Sequence, residues 1–170
     1  SVMSLRRHHY ERAFEEYLRS RRIPYVSVDE ARKALLPDGG VLQVTTGPAG
    51  SAPTALKSFD FVVYGQGANL LLDVKGRRVA RRARSGPLAK SRLECWVTQD
   101  DIDSLKHWEA LFGPGFEAAF LFVYWCDEQP PDALFQEIFE YRGRWYALRA
   151  VTLRQYAAAM KPRSARWRTV

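Results

Sequence analysis

Three charged side chains interrupt two runs that are otherwise almost wholly apolar. The first run, 58–64, reads Ser-Phe-Asp-Phe-Val-Val-Tyr, and the second, 70–75, reads Leu-Leu-Leu-Asp-Val-Lys. Gly-Gln-Gly-Ala-Asn lies between them. Apolar, β-branched and aromatic runs bounded by Gly and Asn predict a hairpin. With Gln66-Gly67 as a two-residue loop, Gly67 supplies the positive φ that such turns need. Gly65 then pairs with Ala68 and Tyr64 with Asn69, and the same ladder sets Asp60 opposite Asp73. Facing Cβ atoms in such a ladder are about 5 Å apart. Lys75 lies two positions beyond Asp73, so the two share a face.

Carboxylates held that close repel each other, unless a divalent cation sits between them or one keeps its proton. Hard cations such as magnesium take carboxylate oxygens and waters, and often complete their shell with substrate phosphates. A neighbouring lysine adds a point charge that steadies a hydroxide or a phosphate oxygen. Ordinary surface acids would stand on a polar face. Asp60 and Asp73 instead break strands whose flanks read as buried, where acids are rare unless paired or metal-bound.

Several elements must position these residues. Residues 6–21 predict the first helix, with Tyr10, Ala13, Phe14, Tyr17 and Leu18 on one stripe. Glu11 stands beside that stripe near the helix start, where an acid suits the dipole. The adjacent His8 and His9 point about 100° apart on a helix and cannot chelate one ion together; they read as surface or groove residues. A stop at Arg21-Arg22 leads into a short strand over 23–28. Residues 29–36 allow one or two helical turns, closed by Pro37-Asp38-Gly39-Gly40. Residues 41–46 alternate as a strand does, and 47–54, rich in Gly, Pro, Ala and Ser, read as a loop.

Beyond Lys75 the composition changes. Arg77, Arg78, Arg81, Arg82, Arg84, Lys90 and Arg92 crowd together with Gly86 and Pro87. Such a run repels itself and predicts an exposed loop beside the acids, able to neutralise phosphates with salt-dependent affinity. Thr98 is the expected N-cap of a second helix with acids in its first turn. Ile102, Leu105, Trp108 or Glu109, and Phe112 form its buried stripe, and Gly113-Pro114-Gly115 ends it. Gln99 falls at the helix start, close to the hairpin if the crossover is short. Residues 116–125 are apolar apart from Glu117, as in a strand buried on both faces. Residues 133–141 and 144–151 predict a further hairpin around Arg142-Gly143, followed by a helix over 152–160 capped by Thr152. Residues 161–170 form a basic tail.

The chain has 170 residues, 46% of them hydrophobic, which suits one globular domain over 1–160 plus the tail at 161–170. No apolar run approaches the ~20 residues of a membrane span, and Ser1 to Tyr10 lacks the apolar core of a signal peptide. Cys95 and Cys126 make neither a disulfide framework nor a zinc cluster and read as packing residues in a reducing cytoplasm. The net charge of +7 and pI near 9.6 favour a polyanionic partner, nucleic acid being the commonest.

The series helix, strand, acid-bearing hairpin, helix, buried strand, with Phe59-Asp60 followed by Asp73-Val74-Lys75, resembles the PD-(D/E)xK nuclease superfamily, and within it archaeal Holliday junction resolvases and related restriction-endonuclease-like proteins. Glu11-Arg12 with Phe14 and Tyr17-Leu18, then Ile23-Pro24-Tyr25-Val26, is similar to the family's first helix and following strand. Thr98-Gln99-Asp100-Asp101-Ile102 with Leu105 resembles the helix start after the family's lysine motif. The match spans roughly Arg6 to Tyr124. Phe59 replaces the family's Pro, the loop before Asp60 is long, and the basic insertion before Thr98 is large.

The resemblance implies an α/β fold with a restriction-endonuclease-like αβββαβ core. A central mixed sheet would be flanked by helices, with an added C-terminal hairpin and helix. It implies a metal-dependent endonuclease or structure-selective nuclease on DNA. Asp60 and Asp73 would hold Mg²⁺, with Mn²⁺ able to substitute. The Val74 carbonyl and Glu11, directly or through water, would assist. Lys75 would orient the attacking water or steady developing charge, and Gln99 would be a second-tier positioning group. The arginine run would grip backbone phosphates, which positions DNA without reading its sequence. No membrane partner is expected, and a homodimer is left open. The alternative is a catalytically silent nucleic-acid-binding or protein-interaction module on the same fold.

Overall fold

The structure is a computed structural model that describes residues 2–35, 43–44, 54–79, 95–130 and 135–159. Helix α1 spans Val2–Ser20 and so starts four residues before the expected start at residue 6. Ala13, Phe14 and Leu18 of the stripe are fully buried, and Tyr10 and Tyr17 pack beside them. The helix ends with Arg22 in the left-handed region at φ 56. The Arg22 N–H donates to the Arg19 carbonyl and Ile23 N–H to the Leu18 carbonyl, the paired bonds of a Schellman cap. Strand β1 (Tyr25–Ser27) and helix α2 (Val28–Leu35) follow, and β2 (Gln43–Val44) pairs with β3 (Thr54–Ala55) as a separate ribbon.

The central hairpin is β4 (Phe61–Val63) and β5 (Asn69–Val79), antiparallel in the expected register with Phe61 opposite Leu72 and Val63 opposite Leu70. Its loop differs from expectation. The ladder stops at Val63, residues 64–68 connect the strands, and Gly67 is not among the glycines with positive φ. The opening is therefore wider than a two-residue turn, and Gly67 serves no left-handed position.

A second correction concerns the basic run. Gly76 to Val79 is not loop but the end of β5, paired in parallel with β6 (Phe116–Cys126) through Val79 and Cys126. The physical reason lies in the partner. The apolar β6 needs a neighbour along its whole length, and aromatic rings take up the arginine side chains. Arg77 lies over Trp96 at 4.8 Å and Arg78 over Trp125 at 4.7 Å. Arg81, Arg82, Arg84, Lys90 and Arg92 lie outside the described residues.

Helix α3 (Gln99–Phe112) carries the chain from β5 to β6. Thr98 caps it as expected, in a full capping box with Asp101. Ile102 and Leu105 are buried, whereas Phe112, expected in the same stripe, is 39% exposed. Gly113 closes the helix at φ 78. Strands β7 (Glu137–Tyr141) and β8 (Arg144–Thr152) turn at Arg142 and Gly143, with φ 50 and 72. Helix α4 (Leu153–Ala159) starts with reciprocal bonds between Thr152 and Gln155. The tail at 161–170 lies outside the described residues.

The result is a six-stranded mixed sheet, ordered β1-β4-β5-β6-β8-β7, between two apolar layers. On one face α3 and α4 bury Leu71, Phe120 and Phe122; on the other α1 buries Leu72, Leu121 and Val123. Among the described residues, no helix is long and apolar enough to cross a membrane. Cys126 is buried in the core as a packing residue, but Cys95 is exposed.

Candidate active site

Beyond Phe61 the β4 backbone leaves the ladder, and Asp60 finishes the pairing with its side chain. Its N–H donates to the Leu72 carbonyl at 2.9 Å, and its Oδ2 accepts the Val74 N–H at 2.7 Å. The carboxylate thus stands where the next strand carbonyl would be. Its own carbonyl accepts Val28 N–H at 3.0 Å. The preceding Phe59 anchors the bend, buried edge-on against Trp108 and Phe112. Trp108 Nε1 also donates to the Lys57 carbonyl at 2.8 Å, so α3 fixes the approach to Asp60.

Asp60, one residue before Phe61, faces Asp73, one residue after its partner Leu72, and each carboxyl acts on the other's titration. Burial pushes both up, Asp60 to about 6 and Asp73 to about 7. For Asp60 the Val74 N–H opposes the rise and the field of Glu11 adds to it; for Asp73 the Lys75 cation opposes it, and Asp60 and Asp101 add to it. The pair titrates as a unit, holding a shared proton close to neutrality. Glu11 of α1 acts on Asp60 through its field.

Lys75 Nζ lies 3.3 Å from Asp73 Oδ2 and 3.1 Å from Asp101 Oδ2. Asp101 Oδ1 lies 3.3 Å from Lys57 Nζ. Asp101 is buried, and its pKa falls to about 2: Lys75 and the Thr98 N–H and hydroxyl outweigh the largest single influence, burial, which acts upward. It remains a carboxylate that holds Lys75 in place.

The structure therefore brings Asp60, Asp73, Val74, Lys75 and Glu11 to one end of the hairpin. Gln99 is elsewhere engaged, its Nε2 donating to Asp103 on its own helix at 3.1 Å. Arg77 shares the face of Asp73 and Lys75, and its guanidinium donates to the carbonyls of Gly76 and Trp96; Arg78 points to the opposite face. Sequence reasoning missed Asp101 and Lys57. The Thr98-x-x-Asp101 spacing of a capping box is a local signal for Asp101, but only the crossing of α3 over β5 brings its capping oxygen, Oδ2, to Lys75 and its other oxygen to Lys57.

Among the described residues, no three His, Cys, Asp or Glu side chains are grouped to hold a metal ion. Asp101 is turned to its two lysines, which leaves Asp60 and Asp73 as the facing oxygen donors, with Glu11 acting on Asp60 through its field. Fold and site together define a mixed α/β protein with a buried acid–lysine cluster where a sheet strand outruns its neighbour. Comparison of the chain with protein-family models, with curated proteins and with solved structures finds no match in any of the three.

Proposed function

We propose that this chain is a metal-dependent nuclease hydrolysing DNA phosphodiester bonds, on a restriction-endonuclease-like core of the PD-(D/E)xK kind. The observation that carries the reading is the placing of Asp60 opposite Asp73 at the end of the β4–β5 ladder, with Lys75 Nζ 3.3 Å from Asp73. The donor set suits a hard divalent ion: two carboxyls pressed together, and partly protonated for want of charge compensation, are what such an ion relieves. Asp60 and Asp73 would hold Mg²⁺ or Mn²⁺, with the Val74 carbonyl and Glu11 assisting. Bound there, the ion supplies a bound water of lowered pKa and charge neutralisation at the phosphate.

The chain's own groups do the rest. Asp101, kept ionised, holds Lys75 beside Asp73, where it would steady negative charge on a phosphate oxygen. Lys57 neutralises the other oxygen of Asp101. The arginines from Arg77 onward supply contacts to the DNA backbone, which fix position rather than sequence.

The test is incubation of supercoiled and branched DNA with Mg²⁺ or Mn²⁺. Nicking that disappears in EDTA and in Asp73→Asn supports the reading. Wild-type protein that cuts neither substrate, and takes up no Mn²⁺ by calorimetry, overturns it in favour of a silent nucleic-acid-binding module. The clamping of Lys75 between two carboxylates is the one feature that favours that second reading.

A further inference from the structure

On the face of the sheet opposite Asp73 and Lys75, a cavity of about 300 Å³ opens between α1, the end of β6 and the β7–β8 turn. Arg12, Arg142 and Arg144 line it, with His9, Tyr141 and Tyr146. Trp125 also lines it, but Arg78 from β5 and Arg144 from β8 cover its ring, at 4.7 and 4.5 Å from the ring centre. The indole is therefore a platform for cations and is closed to a ligand. What the cavity offers is the edges of its guanidinium groups.

No acid lines the cavity. Asp127 is engaged by Arg78 at 3.6 Å, and Glu15, which feels the field of Arg12, is paired with Arg19 at 3.8 Å. Among the described residues, Arg12, Arg142 and Arg144 make no ion pair. Three like charges gathered without a counter-charge repel one another, and an anion relieves that repulsion. All three side chains are exposed, so an ion reaches them from solvent. Arg144 lies over Trp125 and Arg142 over Tyr141, the latter at 5.3 Å. A guanidinium held by its face keeps its edge N–H groups for an acceptor, and that fork fits phosphate oxygens in pairs. The turn itself does not call for Arg142, which sits at φ 50 where Asn, Asp or Gly is favoured. Burial raises the pKa of the Tyr146 hydroxyl, and Arg144 and Arg142 both oppose the rise, so the two cations converge on that group. His9 Nδ1 meets the same hydroxyl at 3.1 Å.

We propose that this pocket binds a terminal phosphate group, as a phosphate monoester or inorganic phosphate, held by the edges of Arg142 and Arg144 with Arg12 closing on it from α1. Such a group carries close to two negative charges near neutral pH. A phosphodiester inside a strand carries a single charge and leaves more of the pocket's repulsion in place. A carboxylate has two oxygens for three guanidinium groups, whereas a terminal phosphate has three. The same chemistry occurs at the phosphorylated end of a nucleic-acid strand and on a free phosphate compound, and the experiment separates them. The site stands on its own geometry and does not depend on the nuclease reading.

The test is calorimetric titration of the full chain with inorganic phosphate in EDTA, so that no metal bridges phosphate to the acid pair. Saturable binding is expected in the wild type. Arg144→Gln is expected to weaken it about tenfold and Arg12→Gln about threefold. Arg142→Asn guards against misfolding: asparagine suits the turn, so the melting temperature is held or raised while phosphate affinity falls about tenfold. Arg149→Gln removes an exposed cation of β8 outside the pocket and should leave the affinity within about twofold. Absence of saturable binding in the wild type overturns the proposal. So does an equal loss in Arg149→Gln and in the pocket variants, which is what diffuse attraction gives. Anisotropy with ten-nucleotide thymidine strands then names the source. Tighter binding of a strand phosphorylated at its 5′ or 3′ end than of its unphosphorylated twin, with the gain lost in Arg144→Gln, assigns the pocket to strand ends. Equal binding of the two strands, with phosphate still bound, assigns it to a free phosphate compound. Metal-dependent cleavage of duplex DNA, followed in parallel, reports separately on the acidic site.

Discussion

On the proposed nuclease reading, the Asp60–Asp73 pair sets stability against activity. Both carboxyls are raised in the folded chain, so between about pH 4 and pH 7 the folded state binds more protons than the unfolded one. Stability therefore falls as pH rises through that window. In EDTA the protein should melt at a lower temperature at pH 7.5 than at pH 5. Mg²⁺ or Mn²⁺ should restore the difference at pH 7.5 and do little at pH 5. Asp73→Asn should raise the melting temperature at pH 7.5 and abolish cleavage; thermal melts across pH with and without metal check both halves. Asp101 has the opposite sign. Its folded pKa of about 2 lies below the unfolded value, so its contribution is present above about pH 4 and fades as pH falls through about 2. Asp101→Ala removes both the helix cap and the anchor of Lys75, and should cost about 1 kcal/mol or more. Asp101→Asn keeps an oxygen for the Thr98 N–H and should lose less stability. Both should cut slowly if Asp101 aims Lys75, which single-turnover cleavage rates would show.

Among the elements, α1 and β5 meet at one unusually close point. A Cβ on Gly76 would fall 2.2 Å from the Tyr10 ring, so this glycine is needed for space. Gly76→Ala must push α1 outward, and Glu11, next in sequence to Tyr10, moves with it. A loss of about 1–3 kcal/mol is expected from the overpacking, with cleavage falling further than stability alone explains. Gly76→Ala combined with Tyr10→Ala should recover part of both, as chemical denaturation and nicking assays can measure. None of this closeness was legible in the sequence, where Gly76 looked like the first residue of a loop. What was legible followed from local rules. The ladder that puts Asp60 opposite Asp73 came from matching two apolar runs about a Gly-containing loop. The α3 start came from Thr98 and the acids after it. The Schellman end of α1 at Arg22 was visible only as a stop, since arginine is no usual left-handed residue. The extension of β5 through Arg77 and Arg78 was hidden because charge density suggested a loop. Two tryptophans distant in sequence, Trp96 and Trp125, are what make those arginines compatible with a strand.

At the scale of the whole molecule, a net charge of +7 coexists with the buried Asp60–Asp73 pair, which on the proposed reading faces the DNA. The basic residues supply long-range attraction to a polyanion, and the pair supplies local repulsion wherever its shared proton has been lost. Affinity for uncut duplex DNA should therefore depend on salt through the first and on pH and metal through the second. If about four phosphates are neutralised, raising salt from 50 to 200 mM should weaken binding on the order of a hundredfold. At fixed salt and pH 7.5 in EDTA, Asp73→Asn should bind duplex DNA more tightly than the wild type, about threefold, because one source of repulsion is gone; at pH 5, where the wild-type pair is largely protonated, the gap should close. Filter binding or anisotropy with a non-cleavable duplex at the two pH values decides the matter. A variant that binds no better than wild type at pH 7.5 would place the DNA away from the acids, and the cluster at the end of β5 would then have to act on something else.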